Sequence, residues 1–231
     1  MKNIYSHLYG RNKKLVLENN PRIKVMLDTV NNLNLKNKNI LDIGCYDGTF
    51  LSLIKNRNNS FYGIEASGYG AKEALKKGIN VKKFFFNDVD KIPFKSESFD
   101  LVVAGEIIEH IYDIDFFLQE IYRLLKRDGF LLISTPNIAS FGRRLMLFLG
   151  MNPIIETSPN ETDSSGHIRY FTFRTLKVLL NKQGFRVLLR SSDVVNFSSN
   201  GKFRSGLLAT MLPEFGQSLI FLVSKWRNND C

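Results

Sequence analysis

Residues 39–50 read Asn-Ile-Leu-Asp-Ile-Gly-Cys-Tyr-Asp-Gly-Thr-Phe (NILDIGCYDGTF). Asn39–Gly44 has the composition of a buried-type strand, and Gly48 opens a helix through Leu51 and Ile54. Glycines at such a turn let the backbone approach a ligand closely, and the helix N-terminus offers free N–H groups. About 20 residues further on, Glu65 ends the next strand, where a carboxylate can take both ribose hydroxyls of a nucleoside. Alone, the first feature is ordinary turn chemistry and the second a solvated surface carboxylate. Together, in this order, they point to a nucleoside cofactor.

The alternation of strands and helices continues in both directions. Upstream, Pro21 starts a helix capped by Asn20, with Ile23, Met26, Leu27, Val30 and Leu33 at helical spacing. Downstream, Phe61–Glu65 is a second strand, Ala71–Lys77 a helix ended by Gly78, and Val81–Phe86 a third strand. Phe99–Gly105 (FDLVVAG) is nearly all apolar, as a parallel strand covered on both faces would be. Asp113 caps a helix whose apolar face runs from Ile114 to Leu125, with Gly129 as its stop. Phe130–Thr135 is a fifth strand, ended by Pro136. Ile138–Leu149 has an amphipathic pattern containing Arg143 and Arg144, and Asn152–Gly166 is a polar, turn-rich loop. Thr172 caps a helix running to Gly184. Phe185–Arg190 and Ser218–Ser224 are two last strands, joined by a hairpin-type excursion over 191–217. This order implies an α/β, doubly wound, Rossmann-like open sheet. It is expected as one domain over 1–231, with an N-terminal helical segment at 1–38 and an inserted cap at 137–170.

The chain has 231 residues and a formal net charge of +10. The charge is uneven: residues 1–39 carry +6, residues 164–231 carry +7, and the middle carries −3. A basic flank suits nucleic acid, an anionic membrane surface or an acidic substrate, and is also what a solvated basic face looks like. No RNA-binding signature is present, which disfavours nucleic acid. The two cysteines, Cys45 and Cys231, argue against a disulfide framework. With no signal-type segment and no long apolar run, a cytoplasmic location is expected. Arg143 and Arg144, with Leu145, Phe148 and Leu149, form a candidate peripheral membrane patch, against the alternative of a cap helix packed on the domain.

A dinucleotide fingerprint needs G-x-G-x-x-G, and this loop has only Gly44 and Gly48, which suits a cofactor without phosphates. ILDIGCYDGTFL resembles the first motif of class I S-adenosylmethionine-dependent methyltransferases, and GIEAS resembles their acidic second-strand end. NDVDKIPFKSESFDLVVAGEIIEHI and LLKRDGFLLISTPN are similar to later segments of the subgroup that includes quinone-biosynthesis methyltransferases. The resemblance covers roughly residues 35–225. It implies S-adenosylmethionine as cofactor and a seven-stranded sheet whose last strand is antiparallel.

The resemblance assigns roles residue by residue. Asp42 would steady the glycine loop and help receive the cofactor's amino group. Gly44 and Cys45 would pass its methionine part, with Gly48 opening the helix. Glu65, followed by Ala66, would bind the ribose. Asp88 would accept from the adenine amine unless it is merely a turn-forming Asp, and Val89 and Ile64 would flank the ring. Gly105 and Glu106 would lie beneath the sulfonium end. One departure stands out: the family commonly has glycine where Tyr46 stands.

Methylating an oxygen requires removal of its proton, which favours a histidine base. His110 follows Glu109 just past the fourth strand. His167 opens HIRYFTFRTLKVLL, which resembles a segment of methyltransferases of quinone biosynthesis, of methionine-biosynthesis-associated type and of cell-surface polysaccharide gene clusters. Each is a candidate catalytic residue, with a loop-holding role as the alternative. No Cys/His/Asp spacing suggests a metal site. The expected acceptor is a small molecule, a sugar or a lipid-linked glycan. A non-catalytic relative that kept the fold is the second reading. The sequence leaves the oligomeric state open.

Overall fold

The computed structural model describes residues 20–55, 58–86, 90–154, 166–198 and 202–226. Helix α1 (Pro21–Asn32) begins at the expected cap, where the Asn20 side chain accepts from the backbone N–H groups of Arg22 and Ile23. Strand β1 (Asn39–Ile43) leads through the glycine turn into the short helix α2 (Thr49–Leu53). Then follow β2 (Ser60–Glu65), α3 (Gly68–Lys76), β3 (Asn80–Lys83), β4 (Phe99–Gly105), a 3-10 turn (Ile108–His110), α4 (Ile114–Leu124) and β5 (Leu125–Pro136). The chain continues through α5 (Phe141–Phe148), α6 (Phe173–Lys182), β6 (Phe185–Ser191), β7 (Val195–Asn196), β8 (Arg204–Ser205), α7 (Gly206–Met211) and β9 (Ser218–Lys225).

Seven strands form one sheet in the order β3-β2-β1-β4-β5-β9-β6. β1 to β5 pair in parallel, and β9 lies antiparallel between β5 and β6. This is the Rossmann-like sheet that the sequence implied. Strand order reverses between β1 and β4, and open α/β sheets bind ligands beyond the carboxyl ends of the strands at such a switch point.

Helices cover both faces, and the strands show why. Along β4, Leu101 and Val103 join one core with Ile40, Leu132 and Ile220, under Met26, Val30, Leu51 and Ala74 of α1, α2 and α3. Val102 and Ala104 join the other with Leu41, Ile133 and Phe221, under Phe117, Leu118 and Ile121 of α4 and Leu176 and Leu180 of α6. Successive side chains of a strand point to opposite faces, so an all-apolar strand must be sandwiched.

Four local expectations are corrected. The third strand ends at Lys83 rather than Phe86. Phe86 leaves the ladder to pack its ring edge-on against Phe117, centroids 5.1 Å apart. The helix after Asp113 stops at Leu124, and Leu125 already pairs with Phe99 in the sheet. Gly129 is therefore a strand glycine, needed because a Cβ there would meet the carbonyls of Lys126 and Phe99 at 3.0 and 3.1 Å. Helix α5 starts at Phe141, since Asn137 folds the preceding residues into a turn by accepting the Ala139 N–H. The excursion over 191–217 holds the short β7–β8 pair and also the helix α7. Residues 1–19 of the N-terminal segment and 155–165 of the expected insertion lie outside the described residues, as do Asp88 and Val89.

Candidate active site

The glycine turn is tied to the neighbouring strand. Gly44 and Cys45 both donate their N–H to the Ile64 carbonyl, at 2.8 and 3.1 Å. Gly44 and Gly48 hold φ near +78° and +72°. A Cβ on Gly44 would meet Ile107 Cδ1 at 2.7 Å, and one on Gly48 would meet Ile79 Cδ1 at 2.2 Å. Both positions therefore need glycine for conformation, and Gly48, hemmed in also by Ala74, needs it for space as well. Tyr46 also has positive φ, at +46°, a conformation that costs a non-glycine residue about 1–2 kcal/mol. The departure from the family's glycine is thus a strained one. It is held in place because the Tyr46 N–H donates to Glu65 Oε2 at 2.8 Å, while its ring leans towards Tyr69 at the start of α3.

Glu65 is buried at the end of β2, and its other oxygen accepts the Ser67 N–H at 2.6 Å. Burial pushes its carboxyl above the usual range, although the hydrogen bonds to Ser67 and Tyr46 oppose the shift. Asp42, buried in β1, is pushed up to about 8, mostly by burial and then by the charge of Glu65. Ala66 is exposed just beyond the strand. Cys45 contributes backbone only: its side chain is buried in the core below Gly63, and burial pushes the thiol up.

Across the switch point, Gly105 ends β4 and Glu106 follows with φ +55°. Arg22 of α1 reaches Glu106 at 3.2 Å and donates to Ser134 Oγ at 3.2 Å. Burial raises the Glu106 carboxyl and the Arg22 charge opposes that. Arg22 was not foreseen; in sequence it is one cation on a basic amphipathic helix.

The two expected histidines come together. Their ring centroids lie 4.9 Å apart. Glu109 joins them: it is 1% exposed, its Oε2 accepts from Thr135 Oγ1 at 2.9 Å, and its Oε1 lies 3.8 Å from His167 Nε2. The segment carrying His167 is sewn to this place by the Ile168 N–H donating to the Glu109 carbonyl and by Arg169 donating to the carbonyls of Ile111 and Tyr112. Burial, then the charge of Glu106, pushes the Glu109 carboxyl up to about 8. Glu109 was read only as a loop partner for its neighbour His110, whereas its side chain faces His167. A surface hollow of about 340 Å³ along β6, lined by Lys177, Arg186, Arg190 and Trp226 among others, gathers none of these groups.

This fold, with carboxylates and a glycine turn at the switch point, defines a nucleoside-cofactor enzyme of the class I methyltransferase type. A methyltransferase-domain family model matches residues 17–189. The chain belongs to this family of S-adenosylmethionine-dependent methyltransferases. It is 38% identical over 113 residues to a ubiquinone biosynthesis O-methyltransferase of Pelagibacter ubique, covering 45% of this chain and 44% of that relative. The chain spans about half the length of several curated relatives it matches. Its fold is similar to that of a SAM-dependent methyltransferase from Thermotoga maritima (TM-score 0.61, 20% identity, 89% of each chain). It is also similar to the 1,6-didemethyltoxoflavin-N1-methyltransferase of Burkholderia thailandensis, solved with S-adenosylhomocysteine bound (TM-score 0.61, 14% identity, 97% of this chain and 85% of that one).

Two outcomes are expected at the cofactor side. Glu65→Ala weakens S-adenosylmethionine binding at least tenfold, as loss of a charged hydrogen-bond partner costs roughly 1.5–3 kcal/mol; an unchanged constant in titration calorimetry removes Glu65 from the site. The second outcome concerns pH. With its pKa raised from 3.8 to about 8, Asp42 is protonated at neutral pH in the free protein, so the free protein loses stability as pH rises from about 4 to about 8. A cationic ligand favours the ionised form, so binding releases a proton. Affinity therefore rises with pH between 6 and 8, by up to about tenfold per unit, and levels off above 8. Calorimetry in buffers of different ionisation enthalpy checks the proton release.

Proposed function

We propose that the protein methylates an oxygen of a small-molecule acceptor, with the glycine turn and acidic strand ends as its cofactor wall and Glu109, His110 and His167 as its acceptor wall. The observation that carries this reading is the meeting of both histidines with a buried carboxylate at the carboxyl edge of the sheet. The residues fit the cofactor: Asp42 and Glu65 are buried carboxyl groups, Glu106 stands partly buried across the switch point, and positive φ at Gly44 opens the backbone. Asp88 and Val89 are assigned to the adenine by the family pattern. Once bound, S-adenosylmethionine supplies an electrophilic methyl group. The chain's own task is alignment, which at the extreme contributes about 7–11 kcal/mol, and removal of the acceptor's proton. His167, with His110 beside it, stands where that proton would leave.

The acceptor's setting is proposed from α5, none of whose residues is buried. Phe141 and Arg144 anchor its start against Phe197 and Phe215. Beyond them Leu147 is 66% and Phe148 85% exposed, and on α7 Leu207 is 73% and Met211 68% exposed. Arg143, Arg144, Lys202 and Arg204 accompany these apolar groups. A packed cap helix would bury its apolar stripe; this one instead has the composition of a surface that rests on anionic lipid. No helix among the described residues is long and apolar enough to cross a membrane, so the proposed contact is peripheral. It brings the site to a lipid-linked acceptor such as a glycan carrier. We place this work in the cytoplasm, which the free buried thiol of Cys45 supports.

His167→Ala is expected to bind S-adenosylmethionine normally and lose 10²–10⁴-fold in single-turnover methylation, with the His167/His110 double variant slower still. Wild-type turnover in His167→Ala would make it a loop residue. The protein is also expected to co-sediment with phosphatidylglycerol vesicles in a salt-sensitive way, and Phe148→Ser with Leu147→Ser to abolish this. Equal behaviour with neutral phosphatidylcholine, or none with either, contradicts the membrane contact.

A further inference from the structure

We propose that Arg22 anchors an oxyanion, a carboxylate or a phosphate, carried by the methyl acceptor. The inference rests on the methyl-transfer reading above and names the chemical class of its acceptor. Arg22 lies in the first turn of α1, the end of a helix that disfavours a cation. Its side chain is nevertheless only 18% exposed, and it folds inward onto the carboxyl ends of β4 and β5. There Nη1 meets Glu106 Oε1 and Ser134 Oγ, each at 3.2 Å. A Cβ added to Gly105 would meet the same nitrogen at 3.7 Å. Among the described residues, Nε and Nη2 make no hydrogen bond. A guanidinium carries five donors in a planar fork, and two of its nitrogens side by side take the paired oxygens of a carboxylate or phosphate. An arginine that served only to hold Glu106 would turn that paired edge to the carboxylate.

The position suits an acceptor. Ser134 and Thr135 are neighbours on β5, and successive side chains of a strand point to opposite faces. Ser134 meets Arg22 on the α1 face, and Thr135 holds Glu109 Oε2 at 2.9 Å on the other. A molecule lying across this strand end meets the guanidinium on one side and the proposed acceptor wall on the other. The Arg22 charge reaches as far as Glu109, whose carboxyl it pulls down against burial.

Glu106 works against an anion in the free protein, because its carboxylate offsets Arg22, while Arg143 and Asp193 act on that carboxyl with opposite signs. The family pattern assigns Glu106 to the sulfonium end of the cofactor. With a cation on that side, Glu106 cancels Arg22 less, so the anion is held more tightly. Transfer moves the methyl group from sulfur to the acceptor oxygen, whose proton goes to His167, and leaves a neutral thioether. The hold on the anion then weakens, so the cofactor binds first and the methylated product is released from a loosened site.

The test is calorimetry of the full-length protein with sodium phosphate and sodium acetate, once with S-adenosylmethionine bound and once with S-adenosylhomocysteine. One phosphate per chain is expected, at least about threefold tighter beside S-adenosylmethionine. Acetate binding as well supports a carboxylate-bearing acceptor, and phosphate alone supports a phosphorylated one. Arg22→Gln should weaken anion binding at least about tenfold, while S-adenosylmethionine affinity holds or rises, since a cation near the sulfonium has gone. Arg22→Lys keeps the ion pair and the fold but not the fork, and should bind phosphate at a strength between the two. Binding of neither anion overturns the proposal, as does equal binding by wild type and both variants. Phosphate affinity that ignores which form of the cofactor is bound overturns it too, because the anion would then lie away from the reacting centre. A wild-type chain that binds phosphate through Arg22 but does not bind S-adenosylmethionine would sink the methyl-transfer reading and leave the oxyanion site standing.

Discussion

The carboxylate of Glu65 holds two turns at once: the N–H of Tyr46 in the loop after β1 and the N–H of Ser67 in the loop after β2. These are the turns where parallel strands hand over to helices, and their backbone donors have no partner within the sheet. One buried acceptor at the end of β2 therefore sets the shape of the glycine loop. It keeps Tyr46 in a conformation that a tyrosine would otherwise leave, and it fixes the opening that faces the switch point. Burial raises the pKa of Asp42, and the charge of the same carboxylate adds to that. The free protein is thus held in a state that a cation relieves.

The two proposed walls of the site differ in how their acidic groups are managed. On the cofactor side the carboxylates of Asp42 and Glu65 are buried close together, with backbone donors as the partners of Glu65. Glu106 stands at the boundary, where Arg22 and Ser134 hold it. On the acceptor side Glu109 is the most deeply buried acid of the site and has one oxygen satisfied and one not. Glu106 and Glu109 repel each other in part, since each lies on the same short turn after β4. An enzyme that binds a sulfonium and then releases a neutral thioether gains from such a gradient, because the protein's field favours the charged ligand before transfer more than the uncharged product after it.

Much of the framework was legible in the sequence because its signals are local. β4 spans the same residues, Phe99–Gly105, that its nearly continuous apolar run indicated, as a strand covered on both faces allows. The caps Asn20, Asp113 and Thr172 all work as read, through short side-chain bonds to nearby N–H groups. Where the reading failed, a distant partner decided. Phe84–Phe86 has strand composition, but Phe86 is drawn onto α4. Gly129 looks like a helix stop, but its lack of a side chain serves the close approach of Phe99. The cluster around Glu109 was invisible to spacing rules, because His167 reaches it by a turn of chain that starts far along from β4. The sequence offered each histidine as a separate candidate and gave no means of seeing that they meet beside the Glu109 carboxylate. The exposed apolar face of α5 was likewise ambiguous in sequence, where a stripe that packs and a stripe that does not look the same.

The central claim is that the carboxyl ends of β1, β2 and β4 hold the cofactor and that the Glu109 cluster faces it. A crystal structure grown with S-adenosylhomocysteine tests this most directly. The account predicts the ligand beyond those three strand ends, its ribose on Glu65 and its sulfur turned towards Glu106 and the two histidines. A ligand seated elsewhere, as in the basic hollow along β6, or one whose sulfur turns away from Glu109, His110 and His167, would contradict it.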